Sequence, residues 1–219
     1  MTNKDHNMKI LIHTQGGSVG TFVQENPAVA SRMLEGIQPG KVFNGDSITI
    51  AGDYSLTAFV PSGVNRIDLI GEDLPAWEYP ADILDVVELS EDNFRERSHV
   101  TDPARLERRR SPKETGELAV VFTEVEMTGG YRIFLAAEIQ VALEAERLPR
   151  LHILFSAPAI HFRLWQGGIS ILNLKNLVRF TLYPGPDVTP MNAWPAHHLS
   201  RRQAFRRTAD AMTGTNSNC

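Results

Sequence analysis

The stretch LTAFVPSGVNRIDL, Leu56 to Leu69, has a counterpart further along the chain in ISILNLKNLVRFTL, Ile169 to Leu182. Each contains two short runs rich in β-branched, aromatic and aliphatic residues, a composition typical of strands. A few turn-forming residues separate the runs in both stretches. The pattern therefore predicts the same unit twice, two short strands that meet at a tight turn and pair as a β-hairpin.

The elements around these two stretches also follow one order. Residues 9–24 and 118–135 each predict two strands around a glycine turn, and a helical pattern and a further strand follow each of them. A proline-punctuated connector with one tryptophan comes after each stretch. This order predicts an internal duplication. Few aligned positions are identical, so two unrelated β-rich segments that share generic alternation are the alternative.

The fold class that follows is α+β and β-rich, with two similar units packed as a pseudo-twofold pair. Residues 1–90 and 118–196 are the predicted units, each with a hairpin, one helix and further antiparallel strands. Neither unit has many apolar residues, and a shared core would relieve that shortage. Residues 91–117 are highly charged, which is typical of a linker. Residues 197–219 predict a basic amphipathic tail helix.

Two segments within the units have the spacing or composition of a helix. Asn26 and Pro27 are typical of an N-cap followed by proline in the first turn, and apolar residues recur at helical spacing up to Gly36. The second segment, Ala136 to Arg147, is rich in alanine and glutamate and precedes a proline. The sequence therefore predicts one helix in each unit.

Composition limits the classes of protein that this chain can belong to. With 42% hydrophobic and 22% charged residues the chain can bury a sizeable core. The net charge of -4 excludes a global attraction to nucleic acid or anionic lipid. The only cysteine is Cys219, so no intramolecular disulfide can form. The polar N-terminus and the lack of a long apolar run predict a cytoplasmic protein with no membrane segment.

Arg66 and Arg179 occupy equivalent places in the two aligned stretches. Because strand side chains alternate between faces, Ile67 should point to the core and Arg66 and Asp68 to solvent. Two solvated strand arginines are one interpretation, and a symmetric pair that grips an anion is the other. Three tryptophans are candidates for an exposed apolar patch that binds a partner protein, namely Trp77, Trp165 and Trp194.

Two basic clusters are candidates for contacts with a nucleic-acid backbone. The first is the run Arg108, Arg109 and Arg110 in the charged segment. The second lies in the predicted tail helix and contains Arg201, Arg202, Arg206 and Arg207. Such clusters are also typical of solvated helix faces and flexible linkers. Nucleic-acid binding therefore requires the two clusters to converge on one surface.

No motif in the chain specifies a reaction, a metal or a cofactor. The histidines lack H-x-x-x-H spacing, and the glycines at 16–20 fit neither common phosphate-binding loop. Residues 16–20, GGSVG, have G-x-S-x-G spacing, but they are predicted to form a hairpin turn between two strands and not the strand-to-helix turn that presents a nucleophile. We therefore expect a non-catalytic binding or assembly module that acts through protein contacts or self-association. The alternatives are a nucleic-acid-binding accessory protein and a small-ligand-binding protein or enzyme. The last alternative predicts a pocket between the two halves that holds Arg66, Arg179 or a histidine with a perturbed pKa.

Overall fold

A computed structural model describes residues 7–79, 82–110, 116–141, 157–185, 191 and 193–194. Within these residues the protein is mixed α+β and mostly β. The strands are β1 (Met8–Thr14), β2 (Val19–Gln24), β3 (Ile48–Ala51), β4 (Leu56–Phe59), β5 (Val64–Ile70), β6 (Ile83–Leu89), β7 (Leu118–Met127), β8 (Tyr131–Gln140), β9 (Ala159–Arg163), β10 (Ile169–Asn173) and β11 (Leu177–Tyr183). The α-helices are α1 (Pro27–Gly36), α2 (Glu91–Ser98) and α3 (Pro103–Arg110). None of these described helices is long and apolar enough to cross a bilayer.

Nine of the described strands form one sheet, in the order β11-β7-β8-β6-β9-β10-β5-β1-β2. Strands β3 and β4 pair with each other in a separate two-stranded sheet. Neighbours are antiparallel except β6 and β9, which meet in parallel at Val87 and Arg163. Strand β10 lies beside β5, and β6 lies between β8 and β9. Strands from the predicted units 1–90 and 118–196 therefore share one large sheet.

The prediction that residues 56–69 and residues 169–182 each form a β-hairpin is wrong. In 56–69, β4 pairs with β3, whereas β5 pairs with β1 and β10. In 169–182, β10 pairs with β5 and β9, whereas β11 pairs with β7. A short 3-10 turn separates the two strands in both stretches, Pro61–Gly63 in the first and Leu174–Asn176 in the second. Alternation identifies a strand, but the choice of partner depends on contacts far away in sequence.

The two glycine turns are hairpins, as the sequence predicts. Strand β1 pairs with β2, and β7 pairs with β8. Gly17 and Gly130 have φ angles of 80° and 78° at matching positions of the two turns. Only glycine adopts this left-handed conformation without strain from a Cβ.

The two strands that contain Arg66 and Arg179 pair with their neighbours in the same way. Arg66 on β5 lies opposite His13 on β1, and Arg179 on β11 lies opposite Glu126 on β7. A bulge interrupts each ladder at the residue next to these pairs. The strands β1 and β5 thus match β7 and β11 in direction, in register and in the position of their irregularity.

Each hairpin turn also makes the same contact with the 3-10 turn of its own half. The backbone N–H of Gln15 donates to the carbonyl of Gly63 at 2.9 Å. The N–H of Thr128 donates to the carbonyl of Asn176 at the same distance. The two halves therefore share a contact that joins segments about 50 residues apart in each of them.

The helix predicted after Asn26 is confirmed as α1. The side chain of Asn26 accepts hydrogen bonds from the N–H groups of Ala28 and Val29 at 3.0 and 3.3 Å, which satisfies donors that the first turn leaves free. Ala30 is buried, and Met33 packs on the core cluster of β1, β5 and β10. The apolar stripe of α1 thus covers that part of the sheet.

The helix predicted from Ala136 is wrong where the chain is described. Residues 131–140 are strand β8, which pairs with β7 along its whole length and with β6 on its other edge. Helix propensity is a weak bias, and two full ladders of backbone hydrogen bonds outweigh it here. Residues 142–147, the rest of the predicted helix, lie outside the described residues.

The segment 91–117, predicted as a charged linker, contains the helices α2 and α3. Ser90 caps α2 by accepting a hydrogen bond from the N–H of Asn93 at 3.3 Å. Phe94 is only 2% exposed, and its ring contacts the rings of Phe122, Phe134 and Tyr183. One buried aromatic residue therefore fixes α2 against the sheet, although the exposed residues of this helix are all charged or polar.

The chain divides into two compact units, residues 1–188 and 189–219. The second includes Met191 and Trp194, both exposed. The predicted tail helix at 197–219 lies outside the described residues, as do Arg201, Arg202, Arg206 and Arg207.

Candidate functional site

A cavity of about 390 Å³ lies within residues 1–188. Its walls come from strands β6, β7, β8 and β9, together with two segments outside the sheet, residues 38–40 and 77–79. Both halves of the sequence contribute to it. The cavity is partly open to solvent, and its volume lies within the range of small-molecule sites in proteins.

The walls are mostly apolar because alternate residues of neighbouring strands face the cavity. Thr123 and Val125 on β7 line it, as do Leu135 and Ala137 on β8 and Val86 on β6. Residues two apart in a strand point to the same face, which explains these pairs. The same strands carry the core cluster around Phe162 and Met127. The cavity therefore continues the apolar interior of the sheet.

His161 on β9 is one of the few polar side chains of the lining. Its Nε2 lies 3.1 Å from the carbonyl oxygen of Trp77, so it donates a hydrogen bond there. The ring stacks on Tyr79 at 4.3 Å between centroids and meets the edge of Trp77 at 5.5 Å. Burial lowers the pKa of His161, and the hydrogen bond to Trp77 only partly opposes this effect. His161 is therefore neutral at pH 7.

Tyr79 and Glu78 are further polar groups at the cavity. The hydroxyl of Tyr79 donates to the carbonyl of Val86 at 3.4 Å, and burial raises the pKa of Tyr79. Glu78 is exposed on the same segment. The polar part of the cavity thus combines a neutral imidazole, a neutral phenol and a carboxylate with the amide of Gln38 and the hydroxyl of Thr123.

Arg66 lies outside this cavity, in a buried cluster of charges. Its guanidinium donates to both carboxylate oxygens of Glu88 at 2.5 and 2.9 Å and to Asp68 at 2.6 Å. It also donates to the hydroxyl of Tyr131 at 3.1 Å, and it lies 5.4 Å from the centre of the Phe162 ring. The prediction that Arg66 and Asp68 are solvated is wrong, because both faces of β5 are covered.

The hydrogen bonds of this cluster fix the charges of its members. Burial alone would lower the pKa of Arg66, but the carboxylates of Glu88 and Asp68 raise it above its usual value. Burial alone would raise the pKa of Asp68, but the hydrogen bonds from His13 and Arg66 lower it. Two carboxylates more than offset the single guanidinium charge, so Arg66 has the surroundings of a structural ion pair rather than of an anion site.

Arg179 has different surroundings from Arg66. Its side chain is half exposed and pairs with Glu126 at 2.8 Å and with Glu124 at 3.5 Å. Neither arginine lines the cavity. The alternative interpretation of the two arginines, a symmetric pair that binds an anion, therefore finds no support in their contacts.

The other predicted site residues are spread over the molecule. Trp77 lines the cavity, whereas Trp165 is 62% exposed in the turn between β9 and β10. Trp194 is 94% exposed in the second compact unit. Arg108 is exposed on α3, which also includes Arg109 and Arg110. The other basic cluster lies outside the described residues, so its convergence with α3 stays a prediction.

Among the residues that the structure describes, no group of three or more His, Cys, Asp or Glu side chains is placed to hold a metal ion. No protein-family model, curated protein or solved structure matches the chain. The functional assignment therefore depends on the geometry of the site.

His161, Tyr79 and the cavity itself have no specific signature in the sequence. His161 lies within a predicted strand, and Tyr79 lies two residues after Trp77 in the connector. His161 is 84 residues from Trp77 in the sequence. The histidine and the two aromatic residues Trp77 and Tyr79 form a site only because β9 packs against the segment 77–79. The expectation of a histidine with a perturbed pKa between the halves is the sequence hypothesis that resembles this site most.

Proposed function

We propose that this protein is a non-catalytic binding module whose ligand is a small, mostly apolar molecule held in the cavity beside His161. The observation that carries the proposal is the cavity of about 390 Å³ with apolar walls and few polar groups. Ligand sites in proteins have this size and this composition. At about 30 Å³ for each non-hydrogen atom, the cavity holds a ligand of about a dozen such atoms.

The shape and lining of the cavity support a binding role. The cavity is partly open to solvent, so a ligand can enter it from the surface. An apolar ligand that covers these walls removes apolar surface from water, which is the main favourable contribution to the binding of such molecules.

The polar groups at the cavity support binding rather than catalysis. His161 donates a hydrogen bond from Nε2 to the carbonyl of Trp77, and Tyr79 donates one from its hydroxyl to the carbonyl of Val86. A general base that activates a nucleophile needs that nucleophile within hydrogen-bond reach. The described contacts of His161 are with backbone and aromatic rings, which orient the imidazole for recognition.

We also propose that the chain is an internal duplication whose two halves pair about a pseudo-twofold axis. The matched hairpin turns, the matched bulges and the matched contacts of the 3-10 turns support the duplication. The register of β3 with β4 also supports the duplication, because Ile48 lies opposite Phe59. When residues 42–52 are aligned with 154–164 and 56–69 with 169–182, the counterparts are Ile160 and Leu172, which lie opposite each other in β9 and β10. A binding site lined by both halves is a common result of such pairing.

The hypotheses of protein contacts, nucleic-acid binding and a cytoplasmic location stay predictions. Exposed Trp165 is compatible with a protein partner, but Trp77 belongs to the cavity and Trp194 to another compact unit. A scattered set of tryptophans does not form a patch by itself. The small-ligand hypothesis is therefore the one that the contacts favour.

The test is a titration of the protein with 1-octanol, which has nine non-hydrogen atoms and therefore fits the estimated capacity of about a dozen. A variant with Trp165→Phe and Trp194→Phe keeps Trp77 as its only tryptophan, so its fluorescence reports on the cavity. We expect a saturable change with one site.

The matched variants for this test are Ala137→Phe and Ala58→Phe. Ala137 lines the cavity, so a phenyl group there occupies the ligand volume and should abolish binding. Ala58 is an exposed residue of β4, so the same change there should leave binding intact. Saturable binding that survives Ala137→Phe in a folded variant would contradict the proposal, as would the absence of binding to the unmodified protein.

A further inference from the structure

We infer that the cavity selects a neutral ligand that donates a hydrogen bond, through a hydroxyl or N–H group, to Nδ1 of His161. The inference rests on the proposed function and adds the chemical class of the ligand. It starts from the contact between His161 and Trp77. A backbone carbonyl can only accept a hydrogen bond, so the 3.1 Å contact requires the proton on Nε2 of the imidazole.

The position of that proton decides what the ring offers to a ligand. In a neutral imidazole one nitrogen donates and the other accepts. With the proton on Nε2, Nδ1 of His161 has a lone pair, and among the described residues the hydrogen bond to Trp77 involves the other nitrogen of this cavity-lining ring. The stack on Tyr79 at 4.3 Å and the edge contact with Trp77 hold the ring in this orientation. The burial that keeps the ring neutral preserves the lone pair.

The neighbouring polar groups favour the same class of ligand. Tyr79 donates its hydroxyl proton to Val86, so the phenol oxygen presents lone pairs to anything else beside it. Glu78 adds a carboxylate on the same segment, whereas Arg163 and Asp85 near Tyr79 are paired with each other.

The lining also contains the amide of Gln38 and the hydroxyl of Thr123, each of which can donate or accept. The carboxylate of Glu78 disfavours an anionic ligand, and the acceptor atoms of His161 and Tyr79 favour a ligand that donates. A ligand that leaves the acceptor of His161 without a hydrogen bond binds less tightly than one that donates to it. This difference in affinity is the source of the selectivity.

Three probes of nearly equal size separate these possibilities. 1-Octanol and 1-methoxyheptane are isomers, but only the alcohol donates a hydrogen bond. Octanoate has the same chain with an anionic head. We expect 1-octanol to bind about 5- to 10-fold more tightly than 1-methoxyheptane, the ratio that one hydrogen bond of typical strength gives. Octanoate should bind more weakly than either neutral probe.

The variant His161→Phe removes the acceptor and keeps an aromatic ring that can stack on Tyr79. We expect it to bind 1-octanol and 1-methoxyheptane with equal affinity, because the affinity for the alcohol falls and that for the ether stays the same. Nitrogen-15 NMR of the imidazole in the unmodified protein checks the cause independently of the variant. It should show the proton of His161 on Nε2.

The outcomes distinguish this inference from the proposed function. Equal affinity of the unmodified protein for alcohol and ether, tighter binding of octanoate, or a proton on Nδ1 would overturn the inference and leave the cavity a binding site. An equal loss of affinity for alcohol and ether in His161→Phe would overturn it in the same way. If no probe binds, both the proposed function and the inference fail.

Discussion

At the scale of single residues, Arg66 shows how a strand position that alternation assigns to solvent can become part of the core. Its side chain is 6% exposed and contacts the carboxylates of Asp68 and Glu88, which are also largely buried. Replacing Arg66 with methionine keeps the volume and leaves two buried carboxylates without their partner. We expect Arg66→Met to lower the free energy of unfolding by about 3–5 kcal/mol, measured by urea denaturation.

The exposed pair of Arg163 and Asp85 is the control for that measurement. The side chain of Arg163 is 60% exposed, so Arg163→Met should cost no more than about 1 kcal/mol. The double variant Arg66→Met with Glu88→Gln should regain part of the stability, because it removes one of the stranded charges. Equal losses for Arg66→Met and Arg163→Met would contradict the description of Arg66 as a buried ion pair.

His161 gives a prediction about pH. The folded protein lowers the pKa of this imidazole below its usual value of 6.5. Between these two pKa values the unfolded chain binds a proton that the folded chain resists, so stability is full at pH 7 and falls as the pH is lowered through this range. The groups that face the ring are Trp77 and Tyr79, with Glu78 on the same segment.

The measurement is the free energy of unfolding from pH 7 to pH 5, for the unmodified protein and for His161→Phe. The other histidines contribute equally to both proteins, so the difference isolates this ring. We expect the unmodified protein to lose more stability over the range than His161→Phe does. Parallel pH profiles would mean that the imidazole titrates normally.

The sequence predicts that Arg66 and His161 lie in strands, but it does not predict which residues surround them. Alternation correctly places Arg66 and Ile67 on opposite faces of a strand, yet it cannot tell that Glu88 and Tyr131 cover the Arg66 face. In the same way, His161 belongs to a predicted strand, but its partner Trp77 is far away in the sequence. Surroundings made by distant segments depend on the fold, which local pattern does not contain.

At the scale of secondary-structure elements, the turn of the β7–β8 hairpin packs against the turn of β1–β2. A Cβ on Gly129 would overlap the backbone carbonyl of Gln15, whereas one on Gly130 would meet nothing within 4 Å. Both glycines have positive φ, so alanine strains the backbone similarly at either position. We expect about 1–2 kcal/mol of destabilisation for Gly130→Ala and about 1–3 kcal/mol more for Gly129→Ala, measured by urea denaturation.

The comparison of these two glycines isolates the contact between the hairpin turns. The backbone cost is common to both variants, so only the overlap with Gln15 separates them. Similar stabilities for Gly129→Ala and Gly130→Ala would show that the turn of β7–β8 does not contact the backbone of Gln15. That result would remove one of the contacts that join the two halves.

Helix α2 depends on a single aromatic anchor. Phe94 contacts three aromatic rings of the sheet, so Phe94→Ala should destabilise the protein by about 3–5 kcal/mol. Arg95 is exposed and pairs with Glu91 one turn away, so Arg95→Ala should cost about 0.5 kcal/mol or less. Urea denaturation measures both. A small effect of Phe94→Ala would support the linker that composition predicts for this segment.

Elements with local signals are predictable from this sequence, and elements decided by pairing are not. The cap at Asn26 and the glycines of the hairpin turns have local causes, and both predictions are confirmed. The helix predicted from Ala136 is wrong because its residues have partners on both edges of a strand. The linker prediction depends on the composition of the whole segment 91–117. It therefore gives no weight to the single residue Phe94, which is buried and anchors α2 to the sheet.

At the scale of the whole molecule, the shared sheet explains why the cavity has walls from both halves of the sequence. Strand β6 of the first half lies between β8 and β9 of the second, so its residue Val86 faces the same space as Val125 and Leu135. The sequence predicts repeated elements and a site between the halves, but not this strand order. A cavity made by interleaved strands cannot be read from either half alone.

The most direct test of the ligand site is to locate bound 1-octanol by NMR, through nuclear Overhauser contacts between its chain and the methyl groups of the isotopically labelled protein. We predict contacts with Ala137, Leu135 and Val125, the residues that form the apolar walls. The same contacts should disappear in Ala137→Phe and persist in Ala58→Phe. Contacts confined to exposed residues such as Leu56 or Val178, or no contacts at all, would contradict the assignment of this cavity as a binding site.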